Sequence, residues 1–544
     1  MTAFDALSAV PPPVNEPVHD YLPGSEQTAR LQARLKEMAA ESIALPMSIA
    51  GAHRMAGGTA YDVVQPHRRH AVLGTCHEAT SEDVRAAVDA ALAAAPAWRA
   101  MPFDERAAVF LRAADLLSGP WRDTLNAATM LGQSKTVQQA EIDAVAELAD
   151  FWRFNVAFAR QILAEQPESS PGTWNRMDHR PLEGFVLAIT PFNFSSIAGN
   201  LPTAPALMGA TVVWKPSPTQ QLAAHWTMRL LEAAGLPPGV VNMVTGSGAA
   251  VSEVALVHPD LAGIHFTGST ATFRHLWRTV GEHIDGYRTY PRLVGETGGK
   301  DFVVAHPSAD LPALRTALIR GAFEYQGQKC SAASRAYIPR SLWQHLRDDL
   351  VGETRAIPMG DVSDFSTFMG AVIDERSFGR LRDLFDRVRA DASVEVLTGA
   401  GVDDREGWFV EPTLLLGTDP RHEIFTTEYF GPVLGVLVYD DADWSGVLRE
   451  AATAAPYALT GSVLATDRAA IVEASDVLRY AAGNFYVNDK PTGAVVGQQP
   501  FGGARASGTN DKAGSPLNLL RWVSPRVVKE TFVPPTAWRH PSMG

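Results

Sequence analysis

Cysteine is nearly missing: Cys76 and Cys330 are the only two among 544 residues. Thiols so few and so far apart give no disulfide framework and point to a reducing compartment, for which the cytoplasm is the simplest expectation. Lys and Arg are absent from the first 29 positions, which do carry Asp5, Glu16, Asp20 and Glu26. A signal or transit peptide needs early positive charge, so no targeting segment is expected. Long apolar runs are lacking as well. The best candidate, LPTAPALMGATVVW, falls short of the roughly 20 residues that span a bilayer and is broken by prolines, so no membrane association is expected. A surplus of positive charge is also lacking: the formal net charge is −13, which offers no basic face to phosphates and excludes nucleic acid as an expected partner.

What the chain does have is length and a globular composition, 46% hydrophobic and 20% charged, enough for two or three domains with large cores. An irregular proline-rich arm opens it and is expected to wrap the body; a helix, QTARLQARLKEMAAES, follows. SEDVRAAVDAALAAAPAW predicts a helix with Ser81 as its cap, FDERAAVFLRAADLLSGP a second ending before Gly119-Pro120, and TVQQAEIDAVAELADFWRFNVAFARQIL one long amphipathic helix. From residue 184 short β-rich runs alternate with helices (GFVLAIT, TVVWKP, VVNMVT, LAGIHFTGS), the pattern of a parallel sheet covered on both faces. A second such series begins near 301 with DFVVAH, SRAYIP, VLGVLVYDD, TGSVLAT and GNFYVND.

Ligands of open α/β sheets bind beyond the carboxyl ends of strands. There the sequence places Asn193, Lys215 with Ser217, and Thr267-Gly268-Ser269, the last three opening a helix whose unpaired N–H groups suit an anion. The strict G-x-G-x-x-G fingerprint is absent, and each of these residues also reads as a turn residue, a surface cation or an ordinary cap. Glu296 stands before Gly298 and Gly299, whose missing side chains allow close approach; Glu428 and Phe430 precede a Gly-Pro turn. Cys330, in EYQGQKCSAASR, would by type alone be a small buried hydrophobe.

PFNF, WKPS, FTGS, GETGGK, QGQKCSA, EYFGPV and PFGG, in this order, resemble the aldehyde dehydrogenase superfamily. NEPV at 15 to 18, QAEIDAVAELADFWRFN, GNFYVNDK and VGQQPFGGARASGTNDKAG narrow the resemblance to its branch acting on L-glutamate γ-semialdehyde, over nearly the whole chain. The resemblance implies an α/β fold with a Rossmann-type NAD-binding domain (1–164 and 187–295), an α/β catalytic domain (296–513) and a small β oligomerisation flap (165–186 and 514–544). It implies NAD-dependent oxidation of L-glutamate γ-semialdehyde, formed from Δ1-pyrroline-5-carboxylate, to L-glutamate. This is the second step of proline catabolism.

By the same resemblance Cys330 is the nucleophile, activated within its site, and Asn193 with the Cys330 backbone N–H holds the alkoxide. Glu296 is the base that hydrolyses the thioester. Lys215, Ser217, Thr267, Gly268, Ser269, Glu428 and Phe430 are expected on NAD, with Pro218, where many relatives carry an acid, leaving the choice between NAD and NADP open. Ser331, Gly493 and Ala494 are expected on the substrate α-carboxylate, Phe194 and Phe501 on its aliphatic part, and Glu147 beside them, although a solvated helix-face Glu is also a reading. No metal is implied. The expected partners are a small-molecule substrate and further copies of the chain, at least as a homodimer. The chain has no room for a fused proline dehydrogenase, which leaves a functional link to a separate one. Another semialdehyde, or a catalytically silent binding protein on the same scaffold, are the alternatives.

Overall fold

The computed structural model describes residues 8–544, so Met1 to Leu7, Asp5 among them, lie outside the described residues. Two seven-stranded sheets dominate. In the first, Arg292–Glu296, Leu261–Thr267, Phe185–Ile189, Thr211–Lys215 and Val241–Met243 lie side by side in that spatial order, all parallel, and Met47–Ile49 and Ala52–Arg54 extend the edge antiparallel. Their residues are buried almost throughout, as strands covered by helices on both faces must be. The chain first builds outward from Phe185–Ile189 toward Val241–Met243, then returns to the other side with Leu261–Thr267. The ends of these neighbours, Ile189 and Thr267, therefore flank the crevice where the connections diverge.

The second sheet orders Val394–Thr398, Thr413–Gly417, Val433–Tyr439, Ala333–Pro339, Asp301–Ala305, Thr460–Leu464 and Asn484–Val487. All pairs are parallel except the edge strand Val394–Thr398. Glu296, the last residue of its strand, makes an antiparallel bridge to Gly508, so the carboxyl end of the first sheet is stitched to the segment that follows the second. The two segments expected to form a flap meet in an antiparallel ribbon, Thr173–Pro181 with Val523–Thr531, in register from Pro181 opposite Val523 to Thr173 opposite Thr531.

Two helix expectations are corrected. The helix over Ser81–Ala100 is capped by Thr80 rather than Ser81: the Thr80 hydroxyl accepts from Asp83 N–H while the Asp83 carboxylate accepts from Thr80 N–H. Asp at the third helical position completes this reciprocal pair for Thr80, whereas the Ser81 hydroxyl turns to Glu253. The long helix is not uniform either. It opens at Val137–Ala140, widens into a π turn over Glu141–Glu147 and continues as α-helix over Leu148–Ala164.

The opening arm lies along this helix. Glu16 N–H donates to Asp150 at 2.7 Å, His19 N–H and Tyr21 OH donate to Glu141, and Arg122 and Arg153 clasp the Glu16 carboxylate.

Candidate active site

The polar letters of EYQGQK turn inward. After the helix Leu311–Phe323 the chain makes a tight turn in which Tyr325 and Gln326 adopt left-handed φ values of 51° and 54°. Non-glycine residues hold that conformation only where the surroundings fix it, and here the Gln326 amide does so. It donates to Ser134 O and Ala371 O and accepts from Gly370 N–H. Gln328 accepts from Ile373 N–H, and Lys329 pairs with Glu324 at 3.0 Å. Every polar group so held is buried, and the segment delivers Cys330 three residues before the strand Ala333–Pro339.

Cys330 is 8% exposed and borders two cavities, one of about 520 Å³ and one of about 290 Å³. The larger holds Lys215, Ser217, Thr267, Gly268, Ser269, Glu428 and Phe430, the whole set expected on NAD, together with Asn193. The smaller holds Ser331, Gly493, Ala494, Phe194, Phe501 and Glu147, the whole set expected on substrate, together with Glu296. The thiol thus stands at the junction of two separate chambers. Asn193 is buried, and one of its amide N–H groups donates to Gln328 O at 3.1 Å, which leaves the second for an oxygen generated at Cys330.

Burial dominates the electrostatics around the thiol. Burial pushes the Cys330 thiol well above its ordinary value, and the carboxylates of Asp301, Glu296 and Glu428 push it further. The resting group is a neutral thiol, so ionisation needs a proton acceptor at the moment of attack. Burial also holds Glu296 far above the ordinary carboxyl range, against the Gly503 N–H that donates to it at 3.0 Å. Glu147 is half-buried at the cavity wall and is lifted to about 8 by desolvation and by Asp143, so it is not a freely solvated helix-face charge. Glu428 is raised to about 7 by burial. Lys215 is lowered to about 8 by burial, and its ammonium has no hydrogen-bonded partner among the described residues.

The aldehyde dehydrogenase family matches residues 53–528. The chain belongs to this family. Its relatives include a protein of Schizosaccharomyces pombe named "Probable delta-1-pyrroline-5-carboxylate dehydrogenase", 48% identical over 97% of both chains. Another, of Bos taurus, named "Delta-1-pyrroline-5-carboxylate dehydrogenase, mitochondrial", is 48% identical over 97% of this chain and 94% of its own. Among solved structures, the Δ-pyrroline-5-carboxylate dehydrogenase of Mycobacterium tuberculosis bound with NAD superposes with a TM-score of 0.97, at 63% identity, covering 99% of this chain and 100% of that one. The cytoplasmic expectation is corrected by the mitochondrial name of the bovine relative. Its error was physical: free thiols mark a reducing compartment without saying which.

In this aldehyde dehydrogenase the glycines of GETGGK have steric reasons. A β-carbon on Gly298 would lie 2.0 Å from Glu428 Oε2, and Gly299 N–H donates to the other oxygen of Glu428 at 2.9 Å. A β-carbon on Gly268 would lie 2.7 Å from the Phe266 ring. Bare backbone, an unpaired buried ammonium and the neighbouring hydroxyls of Ser217 and Thr267 make the larger cavity a fit for an anionic dinucleotide. The Ser269 hydroxyl, however, caps its own helix by accepting from Thr272 N–H, so its free offering to a ligand is smaller than expected.

Sequence reasoning missed several lining residues. Phe192 meets Phe430 edge-on at 5.7 Å, and Asp374, Arg376 and Arg380 close the far wall of the larger cavity. Phe430 itself has φ 55°, a third left-handed residue at the site after Tyr325 and Gln326. In the smaller cavity the Thr492 hydroxyl is 2.8 Å from that of Ser331, and Lys329 and Lys490 supply positive charge. Thr492 adjoins the expected Gly493 and could have been found; Asp374 to Arg380 belong to a loop and helix start with no motif of their own.

Proposed function

We propose that this chain oxidises L-glutamate γ-semialdehyde, supplied by hydrolysis of Δ1-pyrroline-5-carboxylate, to L-glutamate with NAD, the second step of proline catabolism. The observation that carries the reading is the position of Cys330 between a dinucleotide-sized chamber and a smaller one that gathers Ser331, Gly493, Ala494, Phe194 and Phe501.

The Cys330 sulfur adds to the aldehyde carbon as its proton passes through water to solvent, which leaves Glu296 unprotonated for the later step. The alkoxide so formed is held by the free N–H of Asn193 and the Cys330 backbone N–H, a type of contact worth ~10²–10³ in rate. Bound against Lys215, Ser217, Thr267 to Ser269, Glu428 and Phe430, NAD supplies the hydride acceptor that leaves a thioester on Cys330. Glu296, whose burial makes its ionised form a stronger base, then takes a proton from water, and the hydroxide equivalent releases the acid and the thiol.

Gly493, Ala494 and Ser331 hold the α-carboxylate, Phe194 and Phe501 the methylene stem, and Glu147 borders them. The same reading assigns residues 1–164 and 187–295 to cofactor, 296–513 to catalysis and the ribbon segments to assembly as a homodimer or larger. A functional link to a proline dehydrogenase, whose product hydrolyses to this substrate, belongs to the same reading.

The test is NADH formation with pyrroline-5-carboxylate against succinate semialdehyde and propanal. A preference for either competitor rejects the substrate. Light scattering that finds only monomer at micromolar concentration rejects the assembly.

A further inference from the structure

We propose that the N-terminal arm is part of the substrate site: Val18 is a wall of the smaller cavity, and Asn15 is a positioning residue that fixes the loop carrying Gly493 and Ala494. The inference rests on the reading that this loop receives the α-carboxylate.

Val18 lines the cavity together with Gly493, Ala494 and Val495, although more than 470 residues separate them in sequence. Three residues earlier, the Asn15 amide reaches two elements at once. Its N–H groups donate to Asp150 Oδ2 at 2.7 Å and to Val496 O at 2.8 Å, and its carbonyl accepts from Gln498 at 3.0 Å. One side chain therefore joins the helix that carries Glu147 to the loop that carries the carboxylate-binding N–H groups.

Within the loop Val495 N–H donates to Gln499 and the N–H groups of Gln498 and Gln499 donate to Val495 O, bonds that fold it on itself, while Asn15 is the side chain that ties it to the arm and to the helix. Gly493 and Gly497 have φ values of 99° and 82°, accessible to glycine and costly for other residues. At one end Thr492 is tied to Ser331; in the middle Gly497 lies against the Phe154 ring, where a β-carbon would come within 2.2 Å. The stretch between these ends carries the backbone N–H groups that must meet a carboxylate at fixed geometry, and Asn15 closes it from outside. The arm itself is rigidly seated by Glu16 between Arg122 and Arg153 and by His19 and Tyr21 on Glu141.

The test uses the full chain. Asn15→Asp keeps the shape but has no N–H to donate and faces Asp150 with like charge. We expect its KM for pyrroline-5-carboxylate to rise about tenfold, the cost of hydrogen bonds lost in a shielded site, with kcat little changed. KM for NAD and for propanal, which has no carboxylate, should stay as in the unaltered enzyme. Equal changes for both aldehydes, or none, overturn the proposal.

The double variant Asn15→Asp with Asp150→Asn separates positioning from mere support. It restores the link between arm and helix with donor and acceptor exchanged, but not the link to Val496 O. Recovery of thermal stability with KM still raised supports the proposal; recovery of both overturns it. Should the unaltered enzyme show no preference for pyrroline-5-carboxylate, the functional reading fails, and the tether is judged by amide hydrogen exchange over residues 491–499. Faster exchange there in Asn15→Asp sustains it, and unchanged exchange overturns it.

Discussion

The carbonyl oxygen of Cys330 rests against the α-carbon of Gly299, so close that a β-carbon on Gly299 would lie 2.2 Å from it and 2.3 Å from Asp301 Oδ2. Neither neighbour is free to yield. The first is the backbone of the nucleophile, and the second belongs to a buried carboxylate whose other oxygen accepts from Thr460 N–H. Gly299→Ala must therefore displace the thiol, and a misplacement of about 1 Å costs roughly 10²-fold. The expected result is a loss of kcat/KM of that order in a protein that still binds NAD, measured by NADH formation and by NAD fluorescence titration.

Glu296→Gln should separate the two halves of the reaction. The carboxamide cannot accept a proton from water, so the thioester accumulates. Stopped-flow absorbance is expected to show one equivalent of NADH per site, then a steady rate lower by ~10²–10⁴. Loss of the burst together with the steady rate would move Glu296 from hydrolysis to attack.

The pH dependence follows from the raised values of Cys330 and Glu296. A raised thiol is protonated up to higher pH, so alkylation of Cys330 by iodoacetamide should be slower than that of an exposed cysteine at neutral pH and should climb steeply on the alkaline side. A raised carboxyl loses its basic form at higher pH than usual, so kcat should fall with decreasing pH well before an ordinary carboxylate would protonate. Glu296→Gln removes one negative neighbour of the thiol, and its alkylation profile should move to lower pH.

Lys215 offers an opposed pair of effects. Its ammonium opens on the larger cavity with no hydrogen-bonded partner among the described residues, so an apolar chain of like length should cost the fold little. Lys215→Met is expected to melt at the same or a higher temperature while KM for NAD rises about tenfold or more, in line with the loss of a charged hydrogen bond. A lower melting temperature with unchanged KM would make Lys215 structural.

Much of this molecule could be read from its letters because its strands are nearly continuous apolar runs ending in glycine, proline or small hydroxyl residues. GFVLAIT, TVVWKP and DFVVAH lie within a residue or two of the strands observed. The site was legible where a strand end or a motif marked it, as at Asn193, Thr267 and Glu296. It was not legible where distant segments fold over it. Nothing in the local pattern of Asp374 to Arg380, or of Val18, says that it will face a cavity made elsewhere. The π turn was invisible for another reason: hydrogen bonds from each residue to the fifth before it leave the same apolar spacing almost intact over a single turn. The neutral state of the Cys330 thiol comes first from burial and then from three acids brought in from the ends of two other strands and a loop, and the sequence around Cys330 contains none of them.

That π turn makes the helix a shaft with a built-in phase offset. It carries a residue more than the same length of α-helix would need, so everything before it is turned by one residue step, about 100°, relative to everything after it. Glu141 at its start can thereby face the arm at Tyr21 while Glu147 at its end faces the substrate chamber beside Ser196. Deleting one residue of the turn would let it relax to α-helix with both halves in place, whereas winding the full sequence as uninterrupted α-helix would turn the arm-facing half out of alignment with the acid at its other end.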